Sequence, residues 1–162
     1  MQRSISGDFD AAAAAVLAWG SREASTNVKC FVARDTASKQ MATCAQTYIP
    51  QVWCVNPVFQ TYSVAQRLTR RHKVRSDWAA LPFGATRIAA VAYTTQQGHL
   101  LAGEERLSVA QGPDGTLHIQ VLSVSKGAGL RGRLVYPFIG PMQQSFFREQ
   151  LDVVSEAAAR KL

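Results

Sequence analysis

The stretch from Arg87 to Ser125 constrains this chain most, because three strand-like segments follow one another there with only short turns between them. In Arg87–Thr95, Ile88, Ala90, Ala92 and Thr94 alternate with Ala89, Val91, Tyr93 and Thr95. That is the period-two pattern of a strand whose side chains point to opposite faces. Glu104–Ala110 and Thr116–Ser125 read as two further strands joined by Gly112-Pro-Asp-Gly115, whose residue types favour a tight hairpin turn. Gly98 and Gly103 are expected to bracket the turn between the first two strands. Turns this short join antiparallel neighbours.

Such a sheet must bury one face, and the end of the chain supplies a cover. From Pro141 to Leu162, apolar residues fall at Met142, Phe146, Val153 and Ala157, with Phe147, Leu151, Val154 and Ala158 one step around. This is the spacing of an amphipathic helix with a broad apolar face. Pro141 suits its first turn, and the glycine-rich Gly127–Gly132 before it reads as an irregular hinge. Near the N-terminus, Asp8 or Asp10 can cap a helix over Ala11–Trp19 that Gly20 closes, with Val16 and Trp19 as its buried edge. Val28–Val32, Met41–Val55 and Val58–Val64 are β-prone, with Pro50 and Asn56-Pro57 as punctuation. The expected fold is a single α+β domain over residues 1–162. A curved antiparallel sheet of about six strands wraps around a long C-terminal helix, a helix-grip arrangement that often leaves a cavity between the two.

Hydrophobic residues make up 47% and charged residues 18%, a globular composition rather than a disordered one. No apolar run approaches the ~20 residues that cross a bilayer, and no secretory core precedes a cleavage site, so the chain is read as not transmembrane. Cys30, Cys44 and Cys54 are odd in number and lie in apolar stretches, which fits free thiols and an intracellular, reducing compartment. No CxxC or Cys/His spacing points to zinc, and no metal or cofactor is expected.

The net charge of +7 favours anionic partners. Much of it sits in Arg67–Arg75, where Arg67, Arg70, Arg71, Lys73 and Arg75 stand without an acid. This run reads as a solvated loop or as a contact for nucleic acid, anionic lipid or an anionic protein partner. It has no interleaved aromatics for base stacking. Lys126, Arg131 and Arg133 form a second basic group, without the spacing of a phosphate-binding loop.

The most distinctive segment is Gly98-His-Leu-Leu-Ala-Gly-Glu-Glu-Arg-Leu-Ser-Val109. It is followed by Pro113-Asp-Gly115, Ser123-Val-Ser-Lys126, and Tyr136-Pro-Phe through Gln143-Gln-Ser-Phe-Phe147. Together these resemble the domain-of-unknown-function family numbered 1990, found in plants and bacteria. The likeness covers Ala92–Val154 well, and Val52–Val64 and the first helix more loosely. It implies a Bet v 1/START-like helix-grip fold. This chain departs in reading Ala92-Tyr-Thr-Thr-Gln-Gln-Gly98 where relatives carry Tyr-Gly-Thr-Leu before the Gly-His. It also has only Gln2–Ser6 to serve as a first strand, and its basic run has no family counterpart.

His99, Glu104 and Glu105 are the one cluster with catalytic character. Adjacent Glu104 and Glu105 on a strand point to opposite faces, so only one can share a pocket with His99. A carboxylate–imidazole pair could perform general acid–base work, whereas a metal would need a third ligand. In the structural account, His99 caps a turn and one glutamate accepts backbone N–H groups or pairs with arginine. Ser123 and Ser125 share a strand face but lack a nucleophile elbow. Trp19, Trp53, Trp78, Phe83, Phe146 and Phe147 are assigned to the core.

Three functional readings follow. The first is a non-enzymatic domain holding a small apolar or amphipathic ligand between sheet and helix. Met142, Phe146 and Val153 would line the helix side, and His99 with Glu104 or Glu105 would make the polar contacts. The second is a structural or adaptor subunit using the run Arg67–Arg75 and Arg131/Arg133. The third is an enzyme using His99 and a glutamate.

Overall fold

The computed structural model describes residues 1–18, 28–31, 40–46, 53–68 and 84–160, with only the backbone described at 28–31, 40–46 and 53. The elements run β1 (Gln2–Ile5), α1 (Phe9–Leu17), β2 (Val28–Phe31), β3 (Gln40–Gln46), β4 (Trp53–Arg67), β5 (Arg87–Thr95), β6 (Leu101–Gln111), β7 (Leu117–Gly127) and α2 (Gly129–Ala159). The strands form one sheet in the order β1-β7-β6-β5-β4-β3-β2, and every neighbouring pair is antiparallel. Seven strands therefore stand among the described residues where about six were expected. The N-terminal segment does form a strand, with Gln2 opposite Gln120 and Ile5 opposite Leu117.

β4 runs through Asn56-Pro57, which the sequence presents as a break. Pro57 lies opposite Ala42, and its carbonyl accepts from Gln96 N at 3.0 Å, on the side away from β3. A strand residue's N–H and C=O point to the same edge, so the missing donor faces the end of β5, where pairing begins only at Val58–Thr95. The β3–β4 ladder loses nothing, which is why proline is tolerated there.

α1 begins where its cap dictates. Asp8 Oδ1 accepts from Ala11 N at 2.9 Å, and the helix closes at Ala18, whose N–H bonds Ala14 O; Trp19 and Gly20 lie outside the described residues. Ala12, Ala13 and Val16 are buried, and the small alanines let α1 lie close on β5 and β6. Arg87 fastens its start, with the guanidinium 4.1 Å from the Phe9 ring centre and paired with the Asp10 carboxylate. Replacing Asp8 with alanine is expected to lower stability by about 1 kcal/mol, read as a shifted urea midpoint at unchanged slope.

α2 starts at Gly129, well before Pro141, and both Pro137 and Pro141 lie inside it. The stretch 127–132, expected to be an irregular hinge, is instead the end of β7, the cap residue Ala128 and the first helical turn. Close approach explains Gly127 and Gly132. A Cβ at Gly132 would lie 2.2 Å from Leu100 O, and Ala128 N donates to that same carbonyl at 2.9 Å. Backbone rests on backbone at this point, so the helix is seated before the prolines are reached. Each proline removes one helical hydrogen bond.

A core cluster of the described residues lies between the sheet and α1 and α2. Phe9, Ala12, Ala13 and Val16 meet Ala89, Val91, Leu107, Val109, Ile119 and Val121, joined by Leu151, Val154 and Ala158 of α2. α2 covers β7 and part of β1, beside α1. Of the two apolar stripes on the terminal helix, the inward one is Phe147, Leu151, Val154 and Ala158, whereas Met142 and Val153 are half-buried outside the core cluster. The helices meet where Asp8 N donates to Ala158 O at 2.9 Å, and Arg3 ties β1 to Asp152 at 2.7 Å.

Candidate functional site

The Gly-His segment forms a self-contained turn. Gly98 has φ +96°, a conformation open to glycine and strained for other residues. His99 N donates to Gln96 O at 3.1 Å, and His99 Nδ1 accepts from Leu101 N at 2.9 Å. Gly103, expected at the end of this turn, lies inside β6. There the Thr95 hydroxyl accepts from its N–H at 3.0 Å, and a Cβ would stand 2.1 Å from Val124 O. A side chain cannot enter that gap, so the second glycine answers to strand packing.

Burial of the His99 ring pushes its pKa down from 6.5 to about 4. The folded state therefore holds the neutral ring while the unfolded chain takes up a proton between those values. The stability that His99 contributes is complete above pH 6.5 and is lost as pH falls toward 4. In an NMR titration the ring is expected to titrate near 4. The stability gap between the wild type and His99→Asn should narrow on acidification across this window. A midpoint at the ordinary histidine value would show an exposed ring.

Glu104 and Glu105 part as strand alternation requires. Glu104 is exposed opposite Val124, on the face away from the helices. Glu105 turns toward α2, with Tyr93 of β5 and Ser123 of β7 beside it across the ladders. Gln150 Nε2 donates to Glu105 Oε1 at 3.1 Å. A carboxylate can only accept, so the NH₂ end of the amide faces it and the carbonyl end points elsewhere. Gln150 is 0% exposed, and its Oε1 has no hydrogen-bond partner among the described residues. Phe146, one turn earlier on α2, is buried as well.

The structure thus brings Glu105 to Gln150, while His99 is engaged inside its own turn. Sequence reasoning missed Gln150. Its signal was a polar residue at helical spacing between Phe146 and Val154, within an otherwise apolar stripe. Among the described residues, no group of three His, Cys, Asp or Glu side chains could hold a metal. Of the basic run, Arg67 is exposed at the end of β4, and Arg70, Arg71, Lys73 and Arg75 lie outside the described residues, as do Trp78 and Phe83. Arg131 and Arg133 are exposed near the start of α2.

An open antiparallel sheet with a C-terminal helix laid on one face, and a polar pair between the two, defines an α+β protein of a fold seen in solved structures. A conserved protein from Geobacillus kaustophilus superposes with a TM-score of 0.53 at 7% identity, covering 96% of this chain and 90% of that one. A hypothetical protein from Helicobacter pylori superposes with a TM-score of 0.56 at 11% identity, covering 98% and 85%. At such identities the likeness concerns the fold alone. Residues 4–153 match the family described as Domain of unknown function (DUF1990), and the chain belongs to that family. It is 27% identical over 116 residues to a UPF0548 protein of Arabidopsis thaliana, a match covering 72% of this chain and 49% of that protein. The chain thus spans about half the length of this curated relative.

Proposed function

We propose that this domain binds a small amphipathic molecule between the sheet and α2, with the polar end of the ligand held by Glu105 and Gln150. One observation carries the reading: the carbonyl of a fully buried glutamine lacks a hydrogen-bond partner among the described residues. Leaving such a group unpaired costs about 1–3 kcal/mol, and a donor on a bound molecule would remove that cost. The chemistry of the two acceptors specifies the ligand. Glu105 Oε and Gln150 Oε1 accept, so the ligand must present hydroxyl, amide or ammonium hydrogens, with an apolar body against Phe146 and its surroundings. A long helix laid against an antiparallel sheet supports the helix-grip reading of the fold. Binding is favoured over catalysis because the polar pair against α2 is Glu105 with Gln150, whereas His99 Nδ1 accepts from Leu101 N inside its own turn.

Native mass spectrometry of protein purified without detergent tests this. The wild-type chain is expected to carry a discrete small-molecule adduct that Gln150→Leu loses. Circular dichroism of that variant should match the wild type, which shows that the fold is kept. An apo wild-type chain, with no thermal shift on adding back solvent extracts of the expression host, would sink the reading.

A further inference from the structure

The first half of α2 presents a surface that the ligand reading does not use. Leu130, Leu134 and Phe138 are 77%, 67% and 64% exposed. They recur every four residues and so form one stripe, which Pro137 and Pro141, also exposed, broaden. Arg131 and Arg133 project on either side of that stripe at a helical rotation of about 100° per residue, and both are exposed. The opposite side of these turns is pinned to the sheet, by Gly132 against Leu100 and by the Tyr136 hydroxyl donating to Ser125 O at 2.8 Å. The apolar stripe is therefore held outward. No Asp or Glu occurs between Asp114 and Glu149, a stretch that also carries Lys126 and Arg148.

We propose that this half of α2 is an interfacial anchor that lays its apolar stripe into an anionic membrane surface, with Arg131 and Arg133 reaching lipid phosphates on both flanks. Large apolar side chains with a cation on each flank, on a helix otherwise fixed to a folded domain, are the requirement for lying in a bilayer interface. An acid-free stretch of helix on a chain of charge +7 is electrostatically complementary to anionic lipid. No helix among the described residues is long and apolar enough to span the bilayer, so the contact is peripheral.

Flotation of the whole chain with vesicles of phosphatidylcholine alone, and of phosphatidylcholine with phosphatidylglycerol, provides the test. Binding is expected to the anionic vesicles and to weaken with salt. Phe138→Ser should reduce it about tenfold while leaving net charge unchanged, which separates anchoring from general attraction of a basic protein. Arg131→Gln and Arg133→Gln should each reduce it roughly fivefold. These side chains are exposed, so circular dichroism and the unfolding midpoint should match the wild type, confirming that each variant is folded. Equal binding to neutral and anionic vesicles would overturn the proposal, as would anionic binding indifferent to Phe138→Ser. Dimerisation that is lost on Phe138→Ser, without vesicle binding, would also overturn it by assigning the stripe to a second copy of the chain. Native mass spectra leave this result untouched, so the ligand reading and the membrane reading fail separately.

Discussion

Replacing Gly7 with alanine is expected to destabilise the protein by about 3–4 kcal/mol, the largest effect of any small substitution considered. Two costs coincide at this residue. Its φ of +146° is one that side-chain-bearing residues rarely adopt. A Cβ built there would also stand 2.3 Å from the carbonyl oxygen of Ala158, a backbone atom that cannot rotate away. The same carbonyl accepts from Asp8 N at 2.9 Å, so pushing it aside also breaks the contact between the start of α1 and the end of α2. Urea unfolding should show a lower midpoint with unchanged slope. Gly115→Ala is the control. Its φ is +84°, but nothing lies within 4 Å of the added carbon, so only the conformational cost, about 1 kcal/mol, applies. Equal losses at the two sites would refute the close approach of Gly7 to α2.

The second large effect is expected at Leu151, where alanine should cost about 3 kcal/mol. Leu151 is 1% exposed within the cluster that joins α2 to α1 and β7, so truncation leaves a cavity bounded on both sides by packed side chains. Leu134 is on the same helix and 67% exposed, and its replacement by alanine should fall within about 0.5 kcal/mol of the wild type. Val153, half-buried and outside the core cluster, should give a smaller loss than Leu151. A larger loss at Val153 would mean that α2 is rotated, with Met142 and Val153 facing inward.

That comparison touches the limit of what periodicity conveys. The order of apolar residues in α2 specifies two neighbouring stripes about 100° apart, and either could face the sheet. The surfaces of β7 and α1 decide between them, and neither is visible within the helix. Glu104 and Glu105 raise the same problem in a strand. Alternation assigns them to opposite faces, yet only the placement of α2 decides that Glu105 is the inward one. Its partner Gln150 comes from a distant part of the chain. His99, which the sequence places close to two glutamates, accepts from Leu101 N through Nδ1 inside its own turn.

Features set by a few neighbouring residues were determined by the sequence alone. β5 runs from Arg87 to Thr95 as its alternation indicates. Asp8 caps α1, and the Gly112–Gly115 turn closes, with Thr116 N donating to Asp114 Oδ1 at 3.0 Å. Each depends on backbone groups within a few positions. The family resemblance was legible for the same reason, since it rests on short motifs. The start of α2 was decided by tertiary structure. Pro137 and Pro141 read locally as boundaries, but Gly132 on Leu100 and Tyr136 on Ser125 hold the turn in place despite the lost hydrogen bonds. The continuity of β4 through Pro57 was decided likewise, by which edge of the strand lacked a neighbour. Local hydrogen-bond chemistry acts over a few residues and is written in their order, whereas burial and close approach depend on surfaces that exist only once distant segments have met.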